Sequence, residues 1–131
     1  MKQNILKDKS FLFAVRMVNL YKYLKKEHGE YIISQQLIRS GTSIGALIRE
    51  AEHAESTKDF VHKLNIGLKE ANELKYWLDL LVATEFLTTK MYNSLNKDCE
   101  VLLKMLISSV KTNKIKLISQ QPTSKELSTI I

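Results

Sequence analysis

The sequence is poor in residues that break helices or cross-link the chain. It contains one proline, four glycines and one cysteine among 131 residues. The single cysteine, Cys99, excludes a disulfide within the chain, and we expect it to pack in the core of a cytoplasmic protein. The scarcity of proline and glycine favours long helices.

Long apolar runs are also missing. The longest stretch without a charged residue covers residues 40–48, far shorter than the roughly 18 residues that a membrane-spanning helix needs. Near the start of the chain, Asp8 and Arg16 interrupt the uncharged stretch that a signal peptide requires. We therefore expect a protein that is neither membrane-bound nor secreted.

Four segments carry apolar residues at helical spacing, and no segment keeps the alternation of a strand. The pattern predicts a first helix over residues 10–28 and a second that begins near 31–34 and ends around 54. It also predicts a third helix between a Ser56 cap and a connection at 84–88, and a fourth to about residue 114. Short connections predict an all-α, antiparallel up-down-up-down four-helix bundle over residues 1–114. Residues 115–131 contain the proline and predict a flexible tail.

The predicted core stripes differ between helices. The first helix is apolar on nearly every side, which indicates a central helix or one that another subunit covers. The third and fourth helices have single inward stripes, namely Phe60, Leu64, Leu68, Ala71, Leu74, Leu78 and Leu81, then Tyr92, Leu95, Cys99, Leu102 and Leu106.

Small residues concentrate on the second helix, at Gly41, Ser43 and Gly45. A glycine inside a helix costs about 1 kcal/mol relative to alanine. Close approach of another backbone to this flat strip would offset the cost through added dispersion contacts. We therefore predict that these positions serve helix packing and assembly.

Four charged residues should lie on packed helix faces: Arg39, Glu50, Glu70 and Glu73. We interpret them as an arginine with carboxylate partners that sets the register of an assembly. The alternative is an acid–base pair in a pocket, but the sequence offers no nucleophile, oxyanion donor or cofactor motif to accompany it. We therefore expect neither an enzyme nor a bound cofactor.

Two acid–histidine pairs imitate the Glu-x-x-His motif of di-iron bundles: Glu50 with His53, and Asp59 with His62. Such a site also needs an inward glutamate from each of the other two helices. The first helix has only Glu27, at its end, and the fourth only Glu100. We therefore expect no metal site.

The net charge of +6 is unevenly distributed. Residues 1–28 and 88–131 are basic, whereas the middle of the chain is mildly acidic. On the fourth helix, lysines recur at seven-residue spacing and span about 31 Å, and further lysines lie near the end of the first helix. The candidate basic surface comprises Lys22, Lys25, Lys26, Lys90, Lys97, Lys104 and Lys111.

This surface has two interpretations. The lysines could follow the phosphates of RNA or DNA, alone or in a nucleoprotein. Alternatively, they only keep the helix soluble, and the protein is an interaction scaffold with no nucleic-acid role. No aromatic residues alternate with the lysines along the fourth helix, as a stacking platform for single strands would require.

Two stretches resemble a known family: SQQLIRSGTSIGALIREAE at 34–52 and DFVHKLNIGLKEANELKYWLDLL at 59–81. They resemble the bacterial rRNA intervening-sequence proteins, over roughly residues 8–114. The resemblance implies a four-helix bundle that assembles as a homopentamer. The family's motif positions correspond to Arg39, Ser43, Ile44, Glu50, Phe60, Leu64, Ala71 and Glu73.

The chain is also distantly similar to a second pentameric bundle, the accessory variability protein of diversity-generating retroelements. That protein looks like a basic nucleic-acid partner of a reverse transcriptase. The likeness is one of fold, and fold alone does not determine function.

Overall fold

The chain forms four long helices. The computed structural model describes residues 2–121, 126, 128 and 129, with side chains from residue 5 onward. The helices are α1 (Lys2–His28), α2 (Ile32–Glu52), α3 (Thr57–Ala83) and α4 (Thr89–Ser119). Each packs on the next in sequence, and α1 contacts α4 less extensively than it contacts α2. The predicted all-α up-down bundle is confirmed, whereas the number of subunits stays a prediction.

Two helix bounds differ from those predicted. Helix α1 begins at Lys2 rather than at residue 10, because Leu6 is only 5% exposed and extends the core stripe by a further turn. Helix α4 continues to Ser119, since Leu117 still packs against the core. Helix α4 thus ends five residues beyond the predicted end at 114, whereas the flexibility of a tail over residues 115–131 stays a prediction. Residues 122–125, 127, 130 and 131 lie outside the described residues.

The turn between α1 and α2 depends on two adjacent residues. Gly29 has a φ of +61°, a left-handed conformation that residues with a Cβ rarely adopt. The buried carboxylate of Glu30 then accepts hydrogen bonds from the backbone N–H groups of Ile32, Ile33 and Ser34, at 2.7–2.9 Å. This satisfies donors that a helix start otherwise leaves unpaired.

The start of α3 is the capping arrangement that the sequence predicted. The hydroxyl oxygen of Ser56 accepts a hydrogen bond from the backbone N–H of Asp59 at 3.0 Å. In return, the Asp59 carboxylate accepts from the backbone N–H of Glu55 at 3.3 Å. Helix α4 begins similarly, with the Thr88 hydroxyl oxygen accepting from the N–H of Met91.

The core stripes of α3 and α4 largely follow the prediction. The buried residues there are Val61, Leu64, Gly67, Ala71, Leu74, Leu78 and Leu81 on α3, and Leu95, Cys99, Leu102, Leu103, Leu106 and Val110 on α4. Phe60, Leu68 and Tyr92 pack at the margin instead and are only half-buried. Cys99 is a core residue as predicted, and burial raises the pKa of its thiol to about 12.

Candidate functional site

The candidate basic surface lies on the outside of the bundle. Lys90, Lys97, Lys104 and Lys111 are all exposed on α4. Among the residues that the structure describes, none of the four has an ion pair or a side-chain hydrogen bond. The seven-residue repeat drifts by only about 20° per heptad on a straight helix. The four ammonium groups therefore follow one gently winding line.

Both acidic residues of α4 pair with a basic residue of a neighbouring helix. Asp98 accepts a hydrogen bond from Arg16 of α1 at 2.7 Å, and Glu100 forms an ion pair with Lys75 of α3 at 3.2 Å. These are the only two acidic residues in the sequence of α4. The two carboxylates stay 47% and 40% exposed, but each has a basic partner, whereas the four lysines of the line have none among the described residues.

The lysines of α1 are exposed at its C-terminal end. Lys22, Lys25 and Lys26 all lie in the last two turns, and the Lys25 ammonium lies 5.1 Å from the centre of the Tyr21 ring. Because α1 and α4 are antiparallel, this end of α1 lies beside the first turns of α4. The three lysines of α1 and Lys90 therefore lie at the same end of the bundle, whereas Lys104 and Lys111 lie farther toward the opposite end.

A cleft opens between α1 and α4 at the same end. Its volume is about 430 Å³, within the range of ligand-binding sites. Leu20, Met91 and Leu95 form its apolar floor, and Asn19, Tyr23 and Lys90 contribute its other walls. Sequence reasoning missed this feature, because Tyr23 and Lys90 come from different helices and no local motif connects them.

Arg16 closes one end of the cleft. Its guanidinium donates to the Asp98 carboxylate at 2.7 Å and to the Ser94 hydroxyl at 2.9 Å. Since Asp98 neutralises Arg16, the unpaired positive charge that lines the cleft is that of Lys90.

The predicted arginine–carboxylate group is partly assembled, between α2 and α3. One terminal nitrogen of Arg39 donates to both carboxylate oxygens of Glu73, at 2.8 Å, and the other lies 3.6 Å from Glu70. Glu50 is not part of this group, because it lies farther along α2 and pairs with Lys63 at 3.7 Å. The expectation that these charges are packed is wrong for Arg39 and Glu50, whose side chains are 53% and 59% exposed.

The pair of Arg39 and Glu73 is electrostatically coupled. Burial alone would raise the pKa of Glu73, but the hydrogen bonds and charge of Arg39 outweigh it and lower that pKa. The same hydrogen bonds and the two carboxylates raise the pKa of Arg39. The Trp77 indole nitrogen is close enough to favour the charged form of Glu73, but no hydrogen bond of normal geometry forms.

The small-residue strip of α2 faces α1 of the same chain. A Cβ on Gly41 would lie 2.5 Å from Met17 Cγ, so only glycine fits beneath this side chain. A Cβ on Gly45 would lie 3.5 Å from the carbonyl oxygen of Ser10, an ordinary contact distance. The Ser43 hydroxyl donates to the carbonyl oxygen of Ser40 on its own helix. The tight contact is thus between Gly41 and a side chain of α1, whereas the neighbouring backbone lies at Gly45, at an ordinary distance.

The acid–histidine pairs serve local structure. Glu50 pairs with a lysine, and Asp59 caps α3. The part of the chain that the structure describes contains no group of three or more His, Cys, Asp and Glu residues placed to hold a metal ion. Within the same residues, no helix is long and apolar enough to cross a membrane.

Comparison with known proteins adds an independent finding. The family profile described as 23S rRNA-intervening sequence protein matches residues 2–108. A crystal structure of a protein with unknown function from the S23 ribosomal protein family of Bacteroides thetaiotaomicron is 58% identical in sequence, with a TM-score of 0.83, over 85% of this chain and 99% of that chain. Curated proteins give no match. The chain therefore belongs to the 23S rRNA-intervening sequence protein family.

Proposed function

We propose that this protein is a non-enzymatic, cytoplasmic homopentamer that binds nucleic acid, alone or in a nucleoprotein, through the outer face of α4. The observation that carries this proposal is the line of four exposed, unpaired lysines on α4, together with the pairing of both acidic residues of that helix with basic residues of neighbouring helices. A surface that only keeps a helix soluble has no need of a line of lysines without carboxylate partners, since mixed charges serve as well.

The arrangement matches the electrostatics of a polyanion. Lysines at about 10 Å intervals along one helix present repeated point charges, and each lysine that reaches a phosphate releases condensed counterions. In an oligomer the same line is repeated in every copy, which multiplies the contacts that one strand can make. Binding of this kind is independent of sequence and falls steeply with salt concentration.

The proposed assembly is supported by the outer face of α1. Ile5, Phe11, Leu12 and Val15 are 42–63% exposed in the single chain. Their proximity on one helix creates an apolar face that favours contact with another copy. The homopentamer follows the family resemblance of the sequence, and the exposed face of α1 is the part of the surface that such contacts would cover.

The test is a pair of double variants with equal net charge. Lys97→Gln with Lys104→Gln removes two charges from the lysine line. Lys58→Gln with Lys69→Gln removes two charges from α3, where both lysines are exposed and have no ion pair with any residue that the structure describes. Binding of labelled RNA and DNA is measured at about 50 and 200 mM salt.

We expect the α4 pair of substitutions to weaken binding about tenfold at the lower salt concentration, and to reduce the salt dependence by about one counterion per lysine. The α3 pair should change the affinity less than about twofold. Equal losses of affinity in both variants would show that net charge alone, and not the position of the lysines on α4, determines binding. If wild-type protein retains no RNA or DNA at low salt, the protein is instead an interaction scaffold with no nucleic-acid role.

A further inference from the structure

We propose that the cleft between α1 and α4 holds one unpaired nucleotide of a single strand, with the base against Tyr23 and the phosphate at Lys90. This inference rests on the proposed function, and it adds a specific site and a preference for single strands. The long lysine line alone cannot produce that preference, because point charges along a helix attract duplex and single-stranded phosphates alike.

The first argument is the chemistry of the cleft walls. Three apolar side chains, those of Leu20, Met91 and Leu95, line the cleft together with one aromatic ring, that of Tyr23. Flat, weakly polar bases bind such surfaces by stacking and by loss of apolar area. The cleft thus provides the aromatic surface that the lysine line lacks, and the bundle topology brings the two together.

The second argument is the state of the polar groups. Asn19 is exposed, lines the cleft and makes no hydrogen bond to any residue in the described part of the chain. Its amide can both donate and accept, as the edge of a base requires. Lys90 has no carboxylate partner there either, whereas Arg16 is already satisfied by Asp98 and Ser94.

The third argument is the rigidity of the ring. The Tyr23 hydroxyl and His28 Nε2 lie 3.3 Å apart, and the two rings meet edge to face. His28 in turn meets the ring of Phe86 edge to face, with 5.5 Å between ring centres. A ring that is already held in place loses little conformational entropy when a base stacks on it.

The fourth argument is the charge around the opening. Residues three apart share a helix face, so Lys22 and Lys26 lie beside Asn19 and Tyr23 respectively, and Lys97 lies beside Ser94. All three lysines are exposed. A symmetric contact with a second copy would bring these lysines face to face, which disfavours a protein copy as the occupant and favours a polyanion.

The test compares single-stranded DNA with the duplex of the same sequence, both labelled and titrated at one salt concentration. Tyr23→Leu removes the ring, Tyr23→Phe retains it, and Tyr21→Leu removes a ring of the same helix that does not line the cleft. Because Tyr23→Leu loses the stacking of one base, it should bind the single strand at least about fivefold more weakly than wild type does. We expect Tyr23→Phe to keep most of the strand affinity, because the ring and its edge-to-face contact with His28 remain, and Tyr21→Leu to bind the strand normally. All three variants should bind the duplex normally.

A second pair keeps the test informative if Tyr23→Leu fails to fold. Asn19→Asp and Asn72→Asp each add one negative charge at an exposed asparagine, but Asn19 lines the cleft, whereas Asn72 lies on α3. The cleft hypothesis requires the larger loss of single-strand affinity in Asn19→Asp.

The outcomes separate the two proposals. If strand and duplex bind equally, and neither Tyr23→Leu nor Asn19→Asp has a selective effect while the α4 lysine variant still weakens binding, the cleft proposal is wrong and the basic surface remains. If the wild-type protein binds neither nucleic acid, the proposed function is overturned and the cleft proposal with it.

Discussion

The two sides of helix α1 differ in how closely they pack against the neighbouring helices. Toward α2, Met17 lies over the bare backbone of Gly41, where there is no room for a methyl group. Toward α4 the contact is lighter and an open cleft remains. Between them, the outer face exposes apolar side chains such as Leu12, which is 63% exposed. The side toward α2 is therefore fully packed within the chain. The outer face and the side toward α4 leave side chains available for contact with another molecule.

This contrast separates stability from binding. A seam closed by shape is sensitive to volume, because packed interiors do not yield to an extra side chain. An open side tolerates changes in side-chain volume, but its exposed side chains determine what the protein binds. Substitutions on the two sides of α1 should therefore give effects of different kinds, in stability on one side and in assembly or binding on the other.

The largest expected effect follows from Gly41→Leu. Four added carbon atoms would have to occupy space that Met17 fills completely, since Met17 is 0% exposed. We expect a loss of at least about 3 kcal/mol in the free energy of unfolding, or failure to fold. Denaturant titration followed by circular dichroism measures it. A variant of normal stability would show that the seam can open at little cost.

Two further glycines provide the control. At Gly67 an added Cβ would meet side-chain carbons no nearer than 3.9 Å, and at Gly45 the nearest atom is 3.5 Å away. Gly67→Ala and Gly45→Ala should therefore leave stability unchanged or raise it by up to about 1 kcal/mol, through helix propensity. Destabilisation by both would mean that any added volume, rather than the Met17 contact, is what the bundle rejects.

The outer face of α1 should give the second largest effect, on assembly. Leu12→Glu with Val15→Glu places two charges on this face, at positions 63% and 42% exposed in the single chain. If the face lies between copies, burial of these charges should weaken association at least about a hundredfold. Light scattering across a dilution series measures it, and circular dichroism checks that the helices persist.

Ile32→Glu is the matched control for assembly. Ile32 is 74% exposed and lies at the start of α2, away from the outer face of α1. It should leave the subunit number unchanged. If the wild-type protein is already a monomer at low concentration, the outer face of α1 remains exposed to water. That result would contradict the proposed assembly.

The sequence predicted the closed parts of the molecule better than the open ones. Core stripes on α3 and α4, the Ser56 cap and the connection at 84–88 depend on local spacing, and the structure confirms them. The predicted start of α1 and the predicted end of α4 were wrong. Leu6 and Leu117 each extend a core stripe by one apolar residue, but the residues around them are mostly polar.

The Glu30 cap and the features formed by two helices were harder to predict. Glu30 lies just before the predicted start of α2, and glutamate is not the usual capping residue. Arg39 was expected to be packed because it lies in an apolar helix, yet it reaches outward to Glu73. The cleft required the alignment of Tyr23 with Lys90, which depends on the antiparallel register of α1 and α4 rather than on any motif.

The smallest expected effect concerns the contact between α2 and α3, which is stabilised partly by the ion pair of Arg39 and Glu73. The pKa of Glu73 is lowered from its ordinary value near 4.5, chiefly because Arg39 outweighs the opposing effect of burial. The Glu73 carboxylate therefore contributes stability that is fully present above about pH 4.5 and is lost as pH falls through its lower folded-state pKa. Arg39→Gln should remove this contribution.

The measurement is the melting temperature of wild type and Arg39→Gln between about pH 6 and pH 3. Wild type should be more stable by at most a few degrees at the higher pH, since the pair is partly exposed, and the two curves should converge as Glu73 becomes protonated. Parallel curves would mean that Arg39 acts through its packed methylene groups and not through its charge. The α2–α3 seam would then be closed by shape, like that between α1 and α2.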